Sequence, residues 1–138
     1  MLTTSDFLHE FEQASANQDA SRTAALFAEC FLSASAEGVR ALTPADLVRG
    51  IPLRRAMLAR VGLGPGRLLQ HHEHDIDAHY VLLNSTWSWE VQRSDAEPVA
   101  IVLTSSFVLH RAPLGLQEVF YKSGDIVGEL RSRGLLEG

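Results

Sequence analysis

Four long segments in the second half of the chain are built for strands, with only turns between them. Leu68 to Ile76, His79 to Gln92, Val99 to His110 and Leu116 to Lys122 are rich in Val, Ile, Thr, Phe, Tyr and Trp. These residue types suit a pleated, half-buried surface. The links Asp77-Ala78, Ser94-Asp95-Ala96-Glu97-Pro98 and Ala112-Pro113-Leu114-Gly115 are too short to hold crossover helices. Consecutive strands linked this tightly form an antiparallel meander. A short helix from Asp125 to Arg133, stopped by Gly134, follows them.

The first part of the chain has a different period. Phe7, Leu8, Phe11, Ala14 and Ser15 form one apolar-to-small helical stripe behind a Thr4 or Ser5 cap, and Asn17-Gln18-Asp19 breaks it. The spacing of Ala20, Ala24, Phe27 and Ala28, extended by Phe31, predicts a second helix from about Ala20 to Glu29. Phe31 to Ser35 and Val39 to Leu42 read as two short strands around Glu37-Gly38. Thr43-Pro44-Ala45-Asp46 starts a third helix, with Thr as cap, Pro at the first position and an acid at the third. Pro52 either kinks that helix or splits it, and Gly62-Leu63-Gly64-Pro65-Gly66 ends it. Helices first and strands after give an α+β class, with N-terminal helices packed on one face of a curved antiparallel sheet. The 138 residues suit one domain, 1-138.

Composition excludes several partners. The formal net charge is −5, with 12 Lys+Arg scattered along the chain, so no basic footprint for a phosphate backbone exists and nucleic acid is not expected. No apolar run approaches the ~20 residues of a membrane span. Met1-Leu2-Thr3-Thr4-Ser5-Asp6 lacks the basic and apolar regions of a secretory signal, and a lone cysteine, Cys30, forms no internal disulfide. Together these features predict a cytoplasmic protein.

Several motifs together resemble the NTF2-like (SnoaL-like, cystatin-type α+β) superfamily. They are Ala25-Leu26-Phe27-Ala28-Glu29 with Phe31, Ser35-Ala36-Glu37-Gly38, and His79-Tyr80-Val81-Leu82 leading to Thr86-Trp87-Ser88-Trp89. Ser106-Phe107-Val108-Leu109-His110-Arg111 and Val119-Phe120-Tyr121 complete the set. The tail Gly124-Asp125-Ile126-Val127 through Arg133-Gly134-Leu135-Leu136 resembles a bacterial subgroup mostly without assigned function. The resemblance implies a conical fold, a cavity between helices and sheet, and a homodimer through the sheet's outer face. It implies no single reaction, because the superfamily holds isomerases, dehydratases, cyclases and binding modules. Cys30 stands where many members carry Asp.

Alternation assigns the candidate site residues. Trp87 and Trp89 share the more apolar strand face, so they read as core or as the wall of a ligand cavity. Ile101, Leu103, Ser105, Phe107 and Leu109 form the next apolar row, with Ser105 as a possible ligand anchor. Val102, Thr104, Ser106, Val108 and His110 form the opposite face, which suits a dimer interface. On the last strand Glu118 shares a face with Phe120, and Tyr121 takes the other. If the Phe120 face lines the cone, Glu118 is a desolvated general acid or base; in the reverse phase Tyr121 is the hydroxyl in the cavity. His71, His72, Glu73 and His74 offer a His-x-His pair, but the sequence nominates no third ligand, so a polar strand is the plainer reading and no metal is expected. His72 is the imidazole candidate for acid–base work. Cys30 reads as a buried, inert thiol. Arg54, Arg55 and Arg60 read as a solvated helix face, although an arginine at a cavity mouth greets acidic ligands.

The expected function is therefore binding of a small apolar or amphipathic molecule, without cofactor. The alternatives are an isomerase, dehydratase or cyclase using Glu118, His72 and Tyr121, and a non-catalytic homodimer module. The expected ligand wall is Trp87, Trp89, Ser105, Phe107 and Phe120.

Overall fold

A computed structural model describes residues 3–136. The elements run α1 (Thr4–Ala16), α2 (Ala20–Ala24), β1 (Phe27–Ser35), β2 (Gly38–Leu42), α3 (Pro44–Ala59), β3 (Arg67–Asp75), β4 (Tyr80–Val91), β5 (Val99–Ala112), β6 (Gly115–Lys122) and α4 (Ile126–Ser132). The strands form a curved, open six-stranded sheet in the order β2-β1-β6-β5-β4-β3. Every pairing is antiparallel except β1 with β6. The α+β class and the packing of N-terminal helices on one sheet face agree with expectation.

Capping boxes start both long helices. Thr3 exchanges bonds with Asp6 before α1, and Thr43 does so with Asp46 before α3, where Pro44 holds the first position. α1 buries Phe7, Leu8 and Ala14 against the sheet. Bonds to β3 tie it down: the Leu68 amide donates to Glu12 at 2.7 Å, and the Thr4 hydroxyl donates to Glu73.

Two expectations about helices change. The second helix stops at Ala24, not Glu29, because the main chain turns to pair with the last strand, Phe27 opposite Glu118. Of the two outcomes expected at Pro52, the split does not occur: α3 runs unbroken from Pro44 to Ala59. The ring removes one amide donor, and the carbonyl left over belongs to Val48, which is exposed and can turn to water.

Two apolar clusters hold the inner face. The larger joins Phe7, Leu8, Phe27, Phe31, Leu83, Phe107 and Leu109 with their neighbours. The smaller joins Leu58, Val91, Ile101, Ile126 and Leu130. Trp89 packs against both. No helix among the described residues is long and apolar enough to cross a membrane.

Candidate functional site

The inner sheet face and α3 flank a half-open cavity of about 880 Å³. Its walls include Phe11 of α1, Phe31 of β1, Trp87 and Trp89 of β4, Ser105 of β5 and Tyr121 of β6. This volume lies in the range of small-molecule sites.

The polar atoms at its inner end are organised from below. Trp87 is buried, and its indole N–H donates to Ser85 Oγ at 2.7 Å. Ser85 Oγ donates in turn to the Ser105 carbonyl at 3.2 Å. That relay satisfies two buried polar side chains and fixes the Trp87 ring. Ser105 Oγ accepts from the Gly124 amide at 3.4 Å. Gly124 is needed for that approach, since a Cβ there would stand 2.6 Å from Leu103 Cβ and 3.0 Å from the Thr104 carbonyl oxygen.

Tyr121 sits among aromatic rings. Its centroid is 5.0 Å from Phe107, 5.9 Å from Phe11 and 6.2 Å from Phe27, all edge-on or tilted. Burial pushes its hydroxyl up to about 12, the charge of Glu118 adds to the rise, and Arg54 and Ser105 pull the other way. The hydroxyl is therefore a neutral donor at any ordinary pH.

Glu118 is fully buried, and neither carboxyl oxygen has a hydrogen-bond partner. Burial pushes its pKa well above the usual carboxylate range, because desolvation disfavours the charged form. Its amide donates to the Leu26 carbonyl at 2.9 Å.

Strict alternation put Glu118 and Tyr121 on opposite faces, with Phe120 beside Glu118. The structure corrects this. A bulge interrupts the β5–β6 register: Leu109 pairs with Glu118, but Val108 pairs with Phe120 and Phe107 with Tyr121. Val119 is the surplus residue, so Glu118 and Tyr121 both point inward and Phe120 points out. Phe120 thus leaves the expected ligand wall. Phe107 is inside but forms core behind the cavity, touching Tyr121 and Phe11 without lining the space. Glu118 likewise lies behind the lining residues.

Other expectations fall outside the site. His72 is exposed and pairs with Asn84 on the outer sheet face, away from the cavity. The neighbouring histidines gather no metal-ligating group among the described residues. Cys30 is exposed rather than buried, because Phe31 next to it turns inward and strand neighbours point to opposite faces.

The sequence reading gave little weight to the arginines. Arg40, Arg49, Arg54 and Arg55 all line the cavity. Arg55 is half-buried and donates to the Ser15 carbonyl at 3.0 Å, and desolvation lowers its basicity. A helix-wheel view of α3 exposes Arg49, Arg54 and Arg55 because it cannot include the sheet curving up beneath them, and Arg40 enters the lining from β2.

No family profile and no curated protein matches the chain in sequence. Solved structures do. An NTF2-like protein with a cystatin-like fold from Novosphingobium aromaticivorans aligns with TM-score 0.71 at 16% identity, covering 96% of this chain and 86% of that one. An NTF-2-like protein of unknown function from Shewanella oneidensis aligns with TM-score 0.66 at 10% identity, covering 88% and 95%. A candidate dehydratase of the NTF2-like family from Streptomyces avermitilis aligns with TM-score 0.65 at 12% identity, covering 88% and 92%. Six strands in this order, helices on the concave face and these alignments over most of the length together establish that the chain has the NTF2-like, cystatin-type fold.

Proposed function

We propose that the protein binds a small amphipathic molecule in the cavity beneath α3. The observation that carries this reading is the wall: aromatic side chains surround the space, and a few fixed polar groups, Tyr121 and Ser105 among them, face it. Titration with the neutral fluorophore N-phenyl-1-naphthylamine tests it. Saturable fluorescence enhancement is expected, and it should disappear in Ser33→Trp, which fills the cavity from β1. Enhancement that survives the filling variant, with fold retained by circular dichroism, rejects the reading.

Catalysis by proton transfer is the second reading, supported by the inward pairing of Glu118 and Tyr121. Tyr121 would hydrogen-bond a developing enolate oxygen. Among the described residues, however, the carboxylates that line the cavity are Glu37 and Asp46, and Asp46 is engaged by Thr43 and Arg49. The binding reading therefore ranks first. Deuterium uptake at the α-carbon of 2-tetralone in D2O, followed by NMR, decides between them. Uptake above buffer that Tyr121→Phe removes would establish catalysis, and uptake at the buffer rate would exclude it for this ketone.

A homodimer through the outer sheet face is part of the same proposal. Leu32 and Val102 are 44% and 53% exposed there, beside half-buried Val108 and Phe120. Light scattering at micromolar concentration should give twice the chain mass; a monomer mass counts against it.

A further inference from the structure

We infer that the cavity's ligand is an amphipathic carboxylate, its acid head held by Arg54 and Arg55 and its apolar body lying against Trp87 and Phe11. This deepens, and rests on, the reading of the cavity as a binding site.

The charge balance carries the inference. The chain as a whole is acidic, at −5, yet four of its 12 basic side chains line this one cavity, against two acids. Those acids are already engaged. Asp46 holds the Thr43 cap and Arg49, the latter at 2.5 Å, and Glu37 accepts from Ser35 Oγ at 2.9 Å. Arg40, Arg54 and Arg55 have no carboxylate partner among the described residues. Arg55 gives up part of its hydration to sit beneath α3, with only the Ser15 carbonyl as partner. A guanidinium removed from water without a counter-ion is unfavourable, and a bound anion relieves that cost.

Carboxylate fits better than the other common anions. A guanidinium fork matches its planar oxygens with two parallel bonds. Phosphate sites usually add a glycine-rich loop at a helix N-terminus. Here Arg54 and Arg55 lie in the C-terminal half of α3, Arg40 lies on β2, and the glycine-rich stretch Gly62 to Gly66 leads into β3 instead. Beyond the head, the lining is aromatic and aliphatic, which calls for an apolar body rather than a second charge. The Tyr121 hydroxyl, whose pKa the charge of Arg54 lowers, adds a neutral donor to the same lining.

Matched ligands test this. Calorimetric titration would compare 1-naphthylacetic acid with 1-naphthylacetamide, which share shape but not charge. The acid is expected to bind at least about 10-fold tighter at pH 7.5 and low salt, with the advantage shrinking as salt is added. Arg54→Gln should weaken the acid about 5–10-fold and the amide less than about 2-fold. Arg55→Gln should act in the same direction, and Arg54→Lys should restore part of the loss. Arg60→Gln, at the C-cap of α3 and outside the cavity lining, should change neither.

Equal affinity for acid and amide, or equal weakening of both by Arg54→Gln, overturns the carboxylate inference while leaving cavity binding intact. So does a protein that takes up N-phenyl-1-naphthylamine and excludes the acid. Failure of the dye, the acid and the amide alike overturns the binding reading and this inference with it.

Discussion

Helix α1 buries Phe7, Leu8 and Ala14 among its 13 residues, whereas α3 buries only Leu58 among 16. Both lie over one concave sheet. Beneath α1 the space is filled by interlocked rings: Phe7 meets Phe107 edge-on at 6.5 Å, and Phe11 meets Phe107 at 5.3 Å and Trp87 at 5.9 Å. Beneath α3 the space is open. α3 also carries Gly50 and Pro52 at its centre, two residues that weaken a helix interior. Leu53 is 75% exposed on it. One end of the fold thus supplies its own core. The other leaves room that an occupant would complete, under a helix that buries one side chain, Leu58.

Substitutions can break or sharpen this contrast. Phe107→Ala, in the filled end, and Trp87→Ala, where that end meets the cavity wall, should each destabilise by about 3–5 kcal/mol in denaturant melts. A loss below about 1 kcal/mol at either would mean that this end is not the stable one. Glu118→Leu should do the reverse and stabilise by about 1–3 kcal/mol at pH 8, because it removes an unpartnered buried polar group. The gain should shrink toward pH 5. Folded Glu118 keeps its proton above the ordinary value of 4.5, while the unfolded chain releases it there. The folded state therefore binds more protons in the window above 4.5, and wild-type stability falls as pH rises through it, by at most ~1.4 kcal/mol per unit. A melt series in which variant and wild type keep a constant difference from pH 5 to 8 would contradict this.

Gly124→Ala should cost about 1–3 kcal/mol, since the added methyl meets Leu103 and the Thr104 carbonyl. Unchanged melting would mean that the loop after β6 shifts without penalty. Leu53→Ser, on the loosely held helix, should change stability by less than about 0.5 kcal/mol. A larger loss would show that α3 is anchored after all, and it would remove the contrast.

The inner wall and the start of α3 were legible in the sequence, but the contrast between the two ends was not. Period-two apolar rows placed Trp87, Ser105 and Phe107 inside, and the Thr43-Pro44-Asp46 signature set the start of α3. Misreadings arose where a partner distant in sequence decides the outcome. Phe27 and Ala28 continue a helical spacing from Ala24, yet pairing with β6 draws them into a strand. Val119 breaks the alternation of β6 because β5 pairs past it, and no residue in Glu118 to Tyr121 signals a bulge. Cys30 was misplaced for a related reason, since its side of β1 is set by Phe31 turning inward. The arginine lining of the cavity depends on sheet curvature, which one helix cannot encode.

The parallel pairing of β1 with β6 has a consequence for how the molecule is made. Phe27 of β1 lies opposite Glu118 of β6, so the walls carrying Phe31 and Tyr121 meet only after the intervening strands are in hand. Bringing such distant segments together has a loop-closure cost before any contact rewards it. The early β1–β2 hairpin therefore lacks its β6 partner until the last strand is available. The cavity is then among the last parts of the fold to exist, and a chaperone would meet the nascent chain at the strand that later forms its wall.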